Sequence, residues 1–347
     1  MRDRPKAGQA APGAGGSIKH VAARAGVSIA TVSRVMNGVA NKASPGTAAR
    51  VRDAAASLDY RPISAGRALR SRQSRMVAVL AANLANPTMA AIAASAEAAL
   101  RQAGFVMVLC DTHDRPDLQD EYLREMRARQ AHAIVLLGAV RSPLLLQLAA
   151  SGERLVFVNR REPYGRPAPF VGIDNAAAAE EVAEACLRLG LRRVAIVHGS
   201  RASSATEDRL KSLQKAFAGG GHRAPAARLL TLDSADHLSI GFQSGRTLLK
   251  KGLALDAVIA LSDLIAFGIH RAFAEQGLAR QPRLFGFDDN PLNGWIAPWL
   301  SSVRIPYADF GPAIADLIAE APDSGARRQI VLPHQLVIRA DAASQQK

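Results

Sequence analysis

The stretch from residue 26 to 38 reads G-V-S-I-A-T-V-S-R-V-M-N-G, and its spacing points to a chemistry. Ser28 is a helix start and Asn37-Gly38 a helix stop, with about ten residues between, too few for a helix that stands alone. Val32, Val35 and Met36 fall on one face; Ala30, Ser33, Arg34 and Asn37 fall on the other at i, i+3, i+4 and i+7. An outer face of small groups lets the backbone approach base edges in a major groove. Hydroxyls at Ser28, Thr31 and Ser33 can hold phosphates, and Arg34 can fork onto guanine O6 and N7. Ile29 and Ala30 occupy the first turn, where a recognition helix meets bases. A capped surface helix of no function would look the same by itself, so its surroundings decide.

Those surroundings are basic. The 347 residues carry 44 Lys/Arg and 30 Asp/Glu, a formal +14. Residues 1–75 hold 14 of the bases and 3 of the acids, a surplus of +11, which leaves +3 for the other 272. A small basic piece on a nearly neutral body suits a polyanion, most simply nucleic acid.

The elements that must position this helix are legible on either side. Ser17 can cap a first helix over 18–25, which Gly26 ends. Ser44-Pro45 opens a third helix running to about residue 59, with Val51, Ala54, Ala55 and Leu58 on one face. Three short helices with an A-G-V-S turn describe a helix-turn-helix unit. Its expected core is Ile18, Val21, Ala22, Val27, Val32, Val35, Val51 and Leu58. Residues 63–70, I-S-A-G-R-A-L-R, form a weak helix in which Gly66 costs roughly 1 kcal/mol; such a segment folds against a partner.

From residue 76 the pattern changes to buried strands alternating with helices such as 89–103 and 118–129. The rhythm M-V-A-V-L-A, F-V-M-V-L-C, A-I-V-L-L-G, L-V-F-V-N, F-V-G-I-D restarts at R-V-A-I-V-H-G and continues through A-R-L-L-T-L, A-V-I-A-L and L-F-G-F-D. The expected fold is an all-α helix-turn-helix headpiece followed by an α/β core of two parallel-sheet subdomains. Ligands of such sheets sit at the carboxyl ends of strands, so a cleft between the halves is the default site.

Several classes fall away. No apolar run reaches the roughly 18 residues of a membrane helix. The basic N-terminus has no apolar h-region of a secretory signal. Cys110 and Cys186 read as reduced core thiols of a cytoplasmic protein. No H-E-x-x-H, G-x-S-x-G or G-K-[ST] pattern occurs, and Gly219-Gly220-Gly221 reads as a turn. No enzyme activity, cofactor or metal is expected. A transporter's solute-binding protein is the alternative that shares the body, but it has no use for a basic helix-turn-helix.

At this point the sequence resembles the lactose-repressor (LacI/GalR) family of bacterial transcription regulators. The resemblance rests on S-I-K-H-V-A-A-R-A-G-V-S-I-A-T-V-S-R-V-M-N-G, then S-P-G-T-A-A-R-V-R-D-A-A-A-S-L-D-Y-R-P and G-R-A-L-R. It continues through N-P-T-M, V-G-I-D-N, E-D-R-L, L-S-D-L-I-A-F-G, G-F-D-D and P-W-L-S-S-V-R-I-P. It implies a repressor-like homodimer with one helix-turn-helix in each half of a pseudo-palindromic double-stranded DNA operator. DNA contacts would come from Ser17, Ser28, Ile29, Ala30, Thr31, Ser33, Arg34 and Asn37. Arg67 and Leu69 would come from a hinge helix in the minor groove, Leu69 as an apolar wedge. The body becomes a periplasmic-binding-protein-like core that binds a small-molecule effector and couples it reciprocally to DNA affinity. The implied division is a disordered basic tail at 1–16, the headpiece at 17–61, hinge and linker at 62–75, and the core at 76–341. Within the core, the N-subdomain takes about 76–174 and 303–325, and the C-subdomain about 175–302 and 326–341. The chain ends R-A-D-A-A-S-Q-Q-K with no leucine heptad, which favours a dimer over a tetramer.

The implied effector residues are Asn83, Thr88, Met89, Asn159, Arg160, Arg209, Ser262 and Asp288. Arg209 and Asp288 match the family's ligand-binding arginine and aspartate. Other positions depart from the pattern. Ser262 stands where asparagine is common, Thr88-Met89 replaces an aromatic pair, and Asn83 and Asn159 replace acids. With two acids gone beside Arg160 and Arg209, the expected effector is a sugar, or a sugar acid or other carboxylate or phosphate.

Overall fold

Ser17 opens the first helix, α1 (Ile18–Ala25), by accepting the amide of His20, while His20 Nδ1 accepts the amide of Ser17. Gly26 closes it in the left-handed conformation (φ 67°), returning its own N–H to the carbonyls of Ala22 and Ala23. The Ser28 hydroxyl accepts the Thr31 amide at 3.1 Å and starts α2 (Ile29–Met36). Ser44 and Pro45 start α3 (Pro45–Ser57) in the expected way. Val21, Val32 and Val51 are fully buried where the helices meet, with Ala22, Ala25, Ala54 and Ala55 around them. Ile18, Val27, Val35 and Leu58 pack at the margin, half-buried.

These details come from a computed structural model that describes residues 17–36, 43–60, 74–219, 236–277, 281–320 and 328–339. The chain divides into two compact units, 1–74 and 75–347. The hinge segment, Asn37 and the A-R-L-L-T-L run lie outside the described residues.

The second unit is built on two sheets. In chain order its elements are β1 (Met76–Ala81), α4 (Pro87–Gln102), β2 (Val106–Asp111), α5 (Pro116–Ala128), β3 (Ala133–Leu137), α6 (Pro143–Ala150), β4 (Leu155–Val158) and β5 (Phe170–Ile173). Next come α7 (Asn175–Arg188), β6 (Val194–Val197), α8 (Ser204–Gly219), α9 (His237–Lys250), β7 (Ala257–Ala260), α10 (Asp263–Glu275) and β8 (Arg283–Asp288). The last are α11 (Asn293–Ile296), β9 (Leu300–Arg304), α12 (Tyr307–Ala319), β10 (Gln329–Leu332) and β11 (Gln335–Val337). The first sheet is parallel throughout, in the order β10-β5-β4-β3-β1-β2. The second runs β11-β9-β8-β7-β6, parallel except for β11 against β9. Helices cover both faces, which is why central strands such as β1, β3, β4, β6 and β7 are unbroken apolar runs rather than alternating ones.

The expected subdomain limits need correcting at the returns. Gln329–Leu332 does not join the second half; it pairs in parallel with Phe170–Ile173 in the first sheet. Residues 303 and 304 end β9 and stay with the second sheet. Q-I-V-L-P-H-Q-L-V reads as one segment, but Pro333 cannot donate to a ladder, and the chain crosses between sheets there. The first subdomain keeps α12, packed on α4 as expected, and gains β10. Cys110 and Cys186 are free thiols, and burial pushes the Cys186 pKa up to about 12. Among the described residues no helix is long and apolar enough to cross a membrane.

One close approach matters for the site. α9 crosses α10 at Gly241 and Gly268, where an added Cβ would fall 2.0 and 2.2 Å from backbone oxygens of the other helix. Only glycines permit that contact, and it draws the N-termini of both helices to the same cavity wall.

Candidate functional site

On α2, Ile29, Ala30 and Arg34 are exposed, Thr31 and Ser33 are half-buried, and Val32 is sealed in the core. Ile29 is 45% exposed, more than a core role would allow. Ser17 and Ser28 both work as helix caps, and Ser28 shares a hydrogen bond with Thr31 Oγ1 at 2.9 Å. A capped helix start is itself a good phosphate site, because its amides point outward with the positive end of the helix dipole. Asn37, Arg67 and Leu69 lie outside the described residues.

In the core, all eight expected effector residues line one cavity of about 400 Å³. The first subdomain contributes Asn83, Thr88, Met89, Asn159 and Arg160 from the ends of β1 and β4 and the start of α4. The second contributes Arg209 from α8, Ser262 before α10, and Asp288 at the end of β8. Sequence reasoning missed four titratable lining residues: His113 and Asp114 after β2, and Asp236 and His237 at the start of α9. The D-T-H-D turn at a strand's carboxyl end was the available signal for the first two.

Arg209 is buried in a fixed pose. Its Nε donates to Asn175 Oδ1 at 2.7 Å, its Nη1 to the Leu261 carbonyl at 2.9 Å, and its guanidinium lies 4.3 Å over the Phe287 ring. Burial pulls its pKa down, and the carboxylates of Asp288 and Asp263 oppose that. Asp288 occupies a strained backbone conformation (φ 119°), and its carbonyl accepts the Tyr307 hydroxyl at 2.6 Å. Burial raises its pKa to about 6 against the pull of Arg209. Beneath it, Asp263 accepts from Ser302 Oγ and Asn293 Nδ2, each at 2.6 Å, and from the Asn290 amide. Burial and the neighbouring Asp288 push Asp263 up to about 8.

His237 Nδ1 is hydrogen-bonded to Ser262 Oγ at 2.9 Å, and burial followed by Arg160 lowers its pKa, so the ring is neutral at pH 7. Arg160 does not add an uncompensated charge to the cavity, as the sequence led one to expect. It grips Asp114 with both nitrogens, at 2.5 and 3.1 Å. Arg161 turns away to the other subdomain. Its amide donates to Ser204 Oγ at 2.9 Å, and its guanidinium to Asp208 at 2.5 and 2.8 Å. Consecutive residues thus divide the work: Arg160 and Arg209 line the cavity, while Arg161 and Asp208 tie its two walls together.

Comparisons with known proteins fit both units. Residues 74–285 match the periplasmic binding proteins and sugar binding domain of the LacI family, and residues 17–62 match the bacterial regulatory proteins of the lacI family. The transcriptional regulator GntR of Pseudomonas aeruginosa is 31% identical over 86% of this chain and 87% of its own. DegA of Bacillus subtilis is 27% identical over 93% and 97%. Among solved structures, the lac repressor dimer bound to operator and the anti-inducer ONPF has a TM-score of 0.79 at 22% identity, covering 93% of this chain and 98% of that one. The complex of the transcriptional regulator CelR with cellobiose has a TM-score of 0.68 at 27% identity, covering 93% and 99%. Headpiece and core together make this chain a member of the LacI family of DNA-binding transcription regulators.

Proposed function

We propose that the protein acts in the cytoplasm as a homodimeric repressor whose operator affinity is set by a neutral, polyhydroxylated effector, sugar-like in chemistry, and that it turns over no substrate. Each subunit places α2 in one half-site, with Arg34 reading a base, and Arg67 and Leu69 act from the hinge. The effector bridges the two core subdomains through Asn83, Thr88, Met89, Asn159, Arg160, Arg209, Ser262 and Asp288.

One observation carries the effector class: the cavity's charges cancel in pairs. Arg160 is matched by Asp114 and Arg209 lies in the field of Asp288, while His237 is neutral. The carboxylate of Asp236 is engaged as the cap of α9. A phosphate or carboxylate would meet no net positive charge. A hydroxyl both donates and accepts, and the lining offers amides, hydroxyls and carboxylates for either role. The volume suits a mono- or disaccharide. The regulator of known complex with cellobiose supports the same class.

The test uses the full chain and an operator selected from random DNA. A panel of aldoses, disaccharides, aldonates and sugar phosphates is screened by thermal shift, then by operator release or capture. A ligand at about 100 times its Kd adds roughly 2.7 kcal/mol. A neutral sugar that shifts both readouts is expected; response to anions alone sinks the effector class.

A further inference from the structure

The turn that follows β2 is built in an unusual way. His113 and Asp114 are consecutive non-glycine residues in the left-handed region, at φ 51° and 57°. That conformation is unfavourable for L-residues and persists where the surroundings over-determine it. Here the surroundings are visible. The Thr112 amide and hydroxyl both donate to the Ala81 carbonyl, the Asp114 amide to Ala82, and the Arg115 amide to Thr112. The His113 amide donates to Asp111 Oδ1. The turn is stitched to the end of β1, and its outcome is a carboxylate aimed into the cavity.

Asp114 meets Arg160 there in a two-pronged pair, and Arg160 is further held by the Gly138 carbonyl at 3.3 Å. The side chains are 13% exposed for Arg160 and 27% for Asp114, so the pair faces the cavity without being open to bulk water. The ends of β1 and β4 present amides, Asn83 and Asn159. Among the described lining residues of the first subdomain, Asp114 is the one carboxylate.

We propose that Asp114 is a specificity-determining residue: it masks Arg160, fixes its orientation, and turns a wall that would attract anions into one that selects neutral polyols. This rests on the effector reading above. An incoming carboxylate would have to displace Asp114 from the guanidinium fork or lie against it as a like charge. A sugar hydroxyl can instead donate to the unused lone pairs of Asp114 while accepting from Arg160. The pair therefore rejects an acid and accepts the corresponding neutral sugar through the same atoms, which is discrimination by a built-in repulsive element.

The experiment compares full-length wild type with Asp114→Asn and with Asp114→Asn/Arg160→Gln. Each is titrated with matched probes: glucose and gluconate, galactose and galactonate, ribose and ribonate, xylose and xylonate. Asparagine keeps the shape and tolerates the left-handed turn; Asp114→Gly is the second variant, removing the charge with no backbone penalty. The expected result is at least a tenfold swing of the affinity ratio toward the acid in both single variants, reversed in the double variant. The proposal is overturned if an aldose binds wild type and its ratio to the acid is unchanged in both variants; the sugar-effector reading would then survive. If wild type ignores every sugar while the single variants take up an acid through Arg160, the masking role stands and the sugar-effector reading falls. A blank in all folded proteins overturns both.

Discussion

The proposed DNA-reading face and the proposed effector cavity differ in how their residues are gathered. The face lies within residues 28–36, and one helical repeat places every side chain. The cavity draws on residues from 82 to 288, carried by turns at the ends of strands in two separate sheets. On the proposed face Ile29, Ala30 and Arg34 are exposed and lie outside the headpiece core. In the cavity, Arg209 and Asp288 are buried and bonded to structural groups, so the proposed recognition and the stability depend on the same residues. A substitution on the face should therefore affect one property, and a substitution in the cavity several.

The largest expected effect tests the clean side of that contrast. Arg34→Ala should weaken binding to the selected operator by about 1–3 kcal/mol, roughly fivefold to 150-fold, and relax sequence preference. Thermal stability and effector affinity should not change. Fluorescence anisotropy at fixed salt on operator and random duplexes reads it. An equal loss on both duplexes would mean that Arg34 holds a phosphate and that base reading lies elsewhere on α2.

The same contrast explains what could be read from the sequence. The headpiece was legible because its signals are local: Ser17, Gly26 and Ser44-Pro45 mark the helix ends, and valines at helical spacing mark the core. The strands were legible as apolar runs bounded by turns. The eight effector positions came from the family resemblance, and the structure gathers them in one cavity. The missing parts all depend on contacts between distant segments. Asp114 reaches the cavity through two left-handed residues in a row, which composition does not announce. His237 reaches it because α9 and α10 touch at Gly241 and Gly268. The charge of Arg160 could not be judged without its partner 46 residues away. The crossing at Pro333 could not be placed, since both flanking runs are equally good strands.

The entangled side of the contrast can be tested by pH. Asp263 has an ordinary value near 3.8 and is raised to about 8 by burial and by Asp288. Between those values the folded core keeps a proton that the unfolded chain has lost. Through this group the folded state binds more protons, so its contribution to stability is greatest at the acid end of that window and is lost as pH rises toward about 8. Asp263→Asn should flatten this slope, because the amide needs no proton to sit beside Asp288. Urea unfolding of the full chain across the window measures it. Equal slopes in wild type and variant would mean that Asp263 is ionised throughout and held by Ser302 and Asn293.

The smallest effect separates closure of the cavity from its lining. Arg161 and Asp208 join the two subdomains, but their side chains are 46% and 22% exposed. A partly exposed ion pair contributes at most about 1 kcal/mol, so Arg161→Ala should leave the core folded with little change in Tm. The pair does its work on the relation between the walls. An effector that needs both walls should bind a few-fold more weakly to the variant at low salt. At about 1 M salt, where screening reaches only roughly 3 Å, wild type and variant should converge. A difference that persists at high salt would assign the effect to the Arg161 amide and Ser204 rather than to charge. The loop would then close the cavity through a hydrogen bond that the alanine variant disturbs only by displacing the backbone.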